Sequence, residues 1–150
     1  MYSVLLILHS VLRWLVLIAA VAAVVRSWSG WMGGRVWTDT DRGVGKLFTI
    51  SMDVQLVLGL LLYFVFSPLT KAAMQDMAAA MAVRETRFFV AEHLGIMLVA
   101  VIAVHVTSVL ARRGSTDASR FRRAAIGYTL SLLLVLAGIP WWRGVWPGQG

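Results

Sequence analysis

Long runs of apolar residues, each about the length of a bilayer crossing, alternate along the chain with short polar stretches. The first apolar block covers about residues 2–25, the second 47–66, the third 88–110 and the fourth 124–139. A helix rises about 1.5 Å per residue, so some 20 residues cover the roughly 30 Å hydrocarbon core of a bilayer. Each block meets that length, the fourth with help from its flanks. The second block stops at Ser67-Pro68 and the fourth at Pro140, where proline denies the helix a backbone donor. The first block has no basic start, its first basic residue being Arg13, and no clear small-residue cleavage site. It is therefore expected as a spanning helix and not as a secretory leader. Over residues 70–86, Met74, Met77 and Met81 recur at helical spacing, with Lys71, Asp76 and Arg84 beside them. That pattern predicts a short helix lying on the membrane surface, its methionines a packing stripe and not soft metal donors. The expected fold is all-α: one integral membrane four-helix bundle over residues 1–150, with a short outer interfacial helix.

Composition strengthens this picture. Hydrophobic residues make up 59% of the chain and charged ones 14%, and the mean hydropathy is +0.78. A soluble domain carries roughly 25% charged residues, so this chain has too few to cover a water-facing surface, and it is far too apolar for disorder. Cysteine is absent, which excludes disulfides, thiolate catalysis, iron–sulfur clusters and c-type haem attachment. The net charge of +7 would suit a nucleic-acid binder, but its distribution points to topology. Nine of the fourteen Lys and Arg residues lie in the two loops opposite the termini: Arg26, Arg35, Arg42, Lys46, Arg112, Arg113, Arg120, Arg122 and Arg123. By the positive-inside rule those loops face the cytoplasm and both termini face outward; no nucleic-acid partner is expected. Trp28, Trp31 and Trp37 then mark the inner interface, and Trp141, Trp142 and Trp146 the outer one.

Ionisable residues at membrane depth are expensive and usually face the bundle interior. The chain has His9, Arg13, Asp53, Glu92, His93 and His105 in its spans. His9 is eight residues from Met1 and His93 is six from Arg87, which places them about 12 and about 9 Å deep on two helices running the same way. Two histidines at one depth on facing helices are a donor set for haem iron. Arg13 lies one turn from His9 and could pair with a propionate, with Glu92 or with Asp53. Gly59 and Gly95 would let a flat macrocycle approach the backbone. His105 is a weaker ligand candidate, because the twelve residues between it and His93 turn it about 120° around the helix. It would need Asp53, Gln55 or water as its partner. Asp53 and Gln55 are expected as buried polar contacts.

The run Leu8-His9-Ser10-Val11-Leu12-Arg13-Trp14 resembles the "LHS-x-LRW" start of small four-helix bacterial membrane proteins labelled cytochrome b-like. Their first-loop "FT-x-x-DR" is similar to Trp37-Thr38-Asp39-Thr40-Asp41-Arg42, with Trp37 for the phenylalanine. Further similarity lies in residues 55–60, in Glu92-His93, in Thr116-Asp117 followed by Arg122-Arg123-Ala124, and in Ala137-Gly138-Ile139-Pro140-Trp141. The resemblance covers most of the chain, in order. It implies haem b and electron transfer in a bacterial cytoplasmic membrane, and marks His9, Arg13, Gln55, Glu92 and His93. Those proteins often have His where this chain has Asp53, so a second, inner haem is not expected.

Three readings follow. In the first, the protein carries haem b between the first and third spans and passes electrons, as a subunit or partner of a larger membrane complex. In the second, it is a cofactor-free accessory subunit of a respiratory or photosynthetic complex. In the third, Glu92 and His93 serve a quinone-reactive or proton-linked enzyme. An electron carrier or accessory subunit is favoured over a stand-alone enzyme, since 150 residues leave no extramembrane stretch large enough for a separate catalytic site.

Overall fold

The computed structural model describes residues 1–143 and is all-helical there. Helix α1 is Tyr2–Met32 and α2 is Asp39–Leu61, which runs on as a π-helical turn, Leu62–Phe66. Three short helices follow: α3 (Pro68–Gln75), α4 (Met77–Ala82) and α5 (Arg84–Arg87). A second π-helical turn, Phe88–Glu92, leads into α6 (His93–Arg112), and α7 is Asp117–Gly138. Among the described residues four stretches are long and apolar enough to cross a membrane: Tyr2–Met32, Asp39–Phe66, Arg84–Arg112 and Asp117–Gly138. The chain is a multi-pass membrane protein built as a four-helix bundle. Each crossing extends past the apolar block that marks it, because helices continue into the polar flanks beyond the hydrocarbon.

Side chains set the helix ends. Thr38 donates to Asp41 Oδ2 from its backbone nitrogen (2.9 Å) and its hydroxyl (2.6 Å), closing the start of α2. Thr116 Oγ1 accepts from Ser119 N (3.1 Å) at the start of α7. The α1–α2 loop turns at Gly34, whose φ of +60° lies in the left-handed region that favours glycine.

In the bundle, α1 packs against α2 and α7, and α6 packs against the same two, so α1 and α6 face each other across the diagonal. Small residues let the backbones approach: Ala19, Ala20, Ala23, Ser27 and Gly30 are the buried stripe of α1. Facing them are Phe48 and Met52 of α2, Ala100 and Val104 of α6, and Tyr128, Ser131 and Val135 of α7. Buried hydroxyls bond to their own helix: Ser27 Oγ to Ala23 O (2.7 Å) and Ser131 Oγ to Gly127 O (2.9 Å). Neither hydroxyl is left stranded in an apolar core. The outward faces carry exposed Val, Ile and Leu along every spanning helix, as a lipid environment requires.

The segment between the second and third crossings departs from the expected single surface helix. Asp76 breaks it: its backbone leaves the helical region, and its Oδ1 accepts from Ala79 N (2.9 Å) to cap α4. Met74, Met77 and Met81 are exposed, while Ala73, Ala80 and Val90 form the small buried cluster with Leu69 against it. The methionines are thus the outward face of this segment and not its packing stripe. Among the tryptophans, Trp28 donates to Thr129 Oγ1 (2.9 Å) and Trp37 packs on Phe121. Trp146 lies outside the described residues.

Candidate functional site

Pro140 starts the construction of the site at the end of the bundle that holds Met1 and the α7 C-terminus. A residue here would normally donate its N–H to the carbonyl of Leu136; proline has none. The indole of Trp141 donates to Leu136 O instead, at 2.8 Å. The chain leaves the helix after Gly138, so that residue's carbonyl has no partner on its own helix. It meets Nδ1 of His93, 2.7 Å away. A carbonyl oxygen only accepts, so Nδ1 of His93 carries the hydrogen. The lone pair of the neutral ring then sits on Nε2.

His93 is the first residue of α6, directly after a π-helical turn. Its ring packs against Phe88 (5.9 Å between centres) and Phe89 (6.3 Å). Across the bundle diagonal stands His9 of α1. The two imidazole centres are 6.3 Å apart with their planes at 69°. The sequence-derived match in depth therefore brings these two side chains together, edge to face.

Around His9, Gln55 Nε2 donates to the His9 backbone carbonyl at 2.8 Å and ties α2 to α1 at this level. Nδ1 of His9 and Oε1 of Gln55 are buried with no hydrogen-bond partner among the described residues. Unsatisfied polar atoms at this depth mark a place where a further group is wanted. Gly59 faces the ring: a Cβ there would stand 3.3 Å from His9 Cε1, tight enough to press on the imidazole. The glycine is thus part of the cradle.

Other expected site residues lie elsewhere. Gly95 is exposed, and a Cβ there would meet nothing within 4 Å. It follows His93 by two residues, a rotation of about 200° that turns it to the outside. Glu92 also faces outward and pairs with Arg87 at 2.8 Å, with 44% of its side chain exposed. Asp53 is not buried, as expected from the sequence, but half-exposed: it lies between α2 and α6, with its Oδ1 3.4 Å from His105 Nε2 and 47% of each side chain accessible. Nδ1 of His105 turns to Val101 O of its own helix (2.9 Å). Arg13 is partly buried one turn from His9, with its guanidinium 5.8 Å from the Trp14 ring centre.

Contacts of Tyr63 and Arg143 that the sequence did not announce shape this end. Tyr63 Oη donates to Val90 O (2.8 Å), joining the two π-helical turns, and Thr70 Oγ1 donates to Tyr63 O (2.6 Å). Arg143 binds Glu85 (2.9 Å) and covers the Phe89 ring at 4.5 Å. A lone Tyr in an apolar block was the available signal for the first, since a buried phenol needs a partner.

Among the described residues no three His, Asp or Glu side chains cluster. The donor set is therefore two imidazoles, too few for a protein-only zinc centre, which takes three or four protein ligands. Two imidazoles are a pair of neutral nitrogen donors. Compared with family models, curated proteins and solved structures, the chain matches none.

Proposed function

We propose that this protein is a membrane cytochrome of the b type, in which His9 and His93 would hold one haem. The observation that carries the reading is the opposed pair across the diagonal. The two ring centres stand 6.3 Å apart, near enough for both imidazoles to hold a single metal ion. Supporting it are the Gly138 carbonyl, which fixes the tautomer that His93 needs as a ligand, the unsatisfied atoms beside His9, and Gly59 behind its ring. Arg13 lies one turn deeper and would pair with a propionate. Held by these two imidazoles, such a haem would supply one-electron transfer. The chain's own part is to hold the imidazoles, keep water out with Phe88 and Phe89, and balance charge.

The proposed setting is a bacterial cytoplasmic membrane with both termini outside, where the protein serves a larger membrane complex; a quinone is one candidate redox partner. The test is haem content. Protein purified from haem-replete cells should contain about one b haem per chain by its pyridine haemochrome spectrum. A haem-free product that resists loading with hemin overturns the reading.

One observation favours a second reading. Ring centres 6.3 Å apart at a steep angle also describe edge-to-face packing. On that basis the pair would be polar glue inside a cofactor-free accessory subunit, and the haem-free outcome selects it.

A further inference from the structure

At the opposite end of the bundle, away from the histidine pair, α2 and α6 part to leave a groove of about 350 Å³. At about 30 Å³ per water molecule that is room for roughly ten waters, the scale of a small headgroup. Arg42 and Lys46 of α2 and Arg112 of α6 line it, with the hydroxyls of Thr49 and Ser108. The spacing explains the convergence. Residues 42, 46 and 49 share one face of α2, and residues 105, 108 and 112 share one face of α6. A smaller cavity of about 180 Å³, lined by Trp37, Arg42, Arg112 and Arg120, adjoins it through the shared arginines.

The charge of this groove is poorly compensated. Among the described residues neither Lys46 nor Arg112 has a carboxylate within ion-pair distance, and Arg42 has only Asp39 (3.4 Å), itself 93% exposed on the rim. Asp53 lies one turn below Thr49 and is turned to His105. Three cations thus converge where an anion with several acceptor oxygens would bind all of them. The walls say which kind of anion. Ile50 and Val109 flank the groove, and below them Val54 and Val57 of α2 and Ile102 and Val106 of α6 are exposed on the outward face. A basic mouth that opens onto an apolar flank between two spanning helices matches a phosphate headgroup with acyl chains beneath it.

We infer that the α2–α6 groove is a binding site for an anionic phospholipid, with the phosphate held by Arg42, Lys46 and Arg112. The inference does not depend on the haem reading. Generic attraction of a basic loop to a membrane would be shared by every cation at this end. A built site gives unequal weight to the three in the groove.

That inequality is the test. Delipidated protein is incubated with phosphatidylglycerol, cardiolipin, phosphatidylcholine or inorganic phosphate, and retention is read by native mass spectrometry. The native chain should keep phosphatidylglycerol or cardiolipin and release phosphatidylcholine. The double variant K46Q/R112Q should bind the anionic lipid about thirtyfold more weakly, at roughly a fivefold loss for each cation removed. The variant R113Q/R122Q, with the same charge change outside the groove, should stay within about twofold of native. Both variants replace exposed residues, and a thermal unfolding curve in detergent establishes that each is folded. Equal losses in the two variants, or equal retention of phosphatidylcholine, overturn the inference. Retention of inorganic phosphate with no lipid bound overturns the lipid assignment and makes the groove a site for a soluble phosphate.

Discussion

Asp41 is the one charged residue buried among those described, and it shows how a single carboxylate organises an end of the bundle. Its Oδ1 receives Arg26 Nη2 at 2.8 Å and Nε at 3.1 Å, and its Oδ2 receives the two donors of Thr38. A carboxylate so enclosed is satisfied on both oxygens, and its removal leaves Arg26 without its partner. Asp41→Ala should lower stability by about 2–3 kcal/mol, measured by unfolding in detergent micelles. Arg42→Ala, whose pair with Asp39 is exposed on both sides, should change it by under about 0.5 kcal/mol. Equal effects would show that the Asp41 network contributes nothing special. Residue by residue, the sequence was informative where counting along a helix decides the matter. Depth arithmetic put His9 and His93 at one level, and they meet. The same arithmetic applied around the helix turns Gly95 away from His93, a rotation that depth alone does not consider. Glu92 and Asp53 illustrate a further gap. A charge in an apolar block points inward only when no neighbour offers it a partner nearer the surface, and Arg87 and His105 do.

Among elements, the two π-helical turns matter most to the site. Each adds a residue to one turn of helix, which leaves carbonyls without their usual donors. Tyr63 bridges them by bonding to Val90 O. Tyr63→Phe should cost about 1 kcal/mol and speed amide exchange in Phe88–Glu92 more than in the middle of α6; uniform exchange across α6 would contradict the bridging role. The seam between α6 and α7 depends on close approach at Gly127, where any Cβ would collide with the Thr107 side chain. Gly127→Leu should therefore destabilise the bundle by more than about 2 kcal/mol, read as a lower unfolding midpoint, and an unchanged midpoint would refute tight packing there. None of this was legible in composition. Hydropathy reports which stretches leave water; it does not record where a hydrogen-bond register slips by one residue. The break at Asp76 was partly legible, because Asp followed three residues later by a helix-forming run is a cap signal.

For the molecule as a whole, the four crossings were legible because burial in lipid demands long uninterrupted apolar runs, and the structure has four such helices. Their arrangement was not: nothing in the order of blocks says that α1 and α6 are the diagonal pair. The buried small-residue stripe of α1 (Ala19, Ala20, Ala23, Ser27, Gly30) lets it nest between α2 and α7. The proposed orientation rests on the cluster of basic residues at one end, and under it a reporter joined after Gly150 should be active outside the cytoplasm and silent within it. Activity only in the cytoplasm would reverse the topology.

The central claim is that one imidazole from each member of the diagonal pair holds the same iron. The reduced-minus-oxidised absorbance spectrum of three single variants in the same membranes tests it most directly. His9→Ala and His93→Ala should each abolish or strongly shift the b-type bands, while His105→Ala, bound to Val101 and Asp53 at the other end, should leave them in place. Bands unchanged in both His9→Ala and His93→Ala, or lost in His105→Ala alone, would contradict the account.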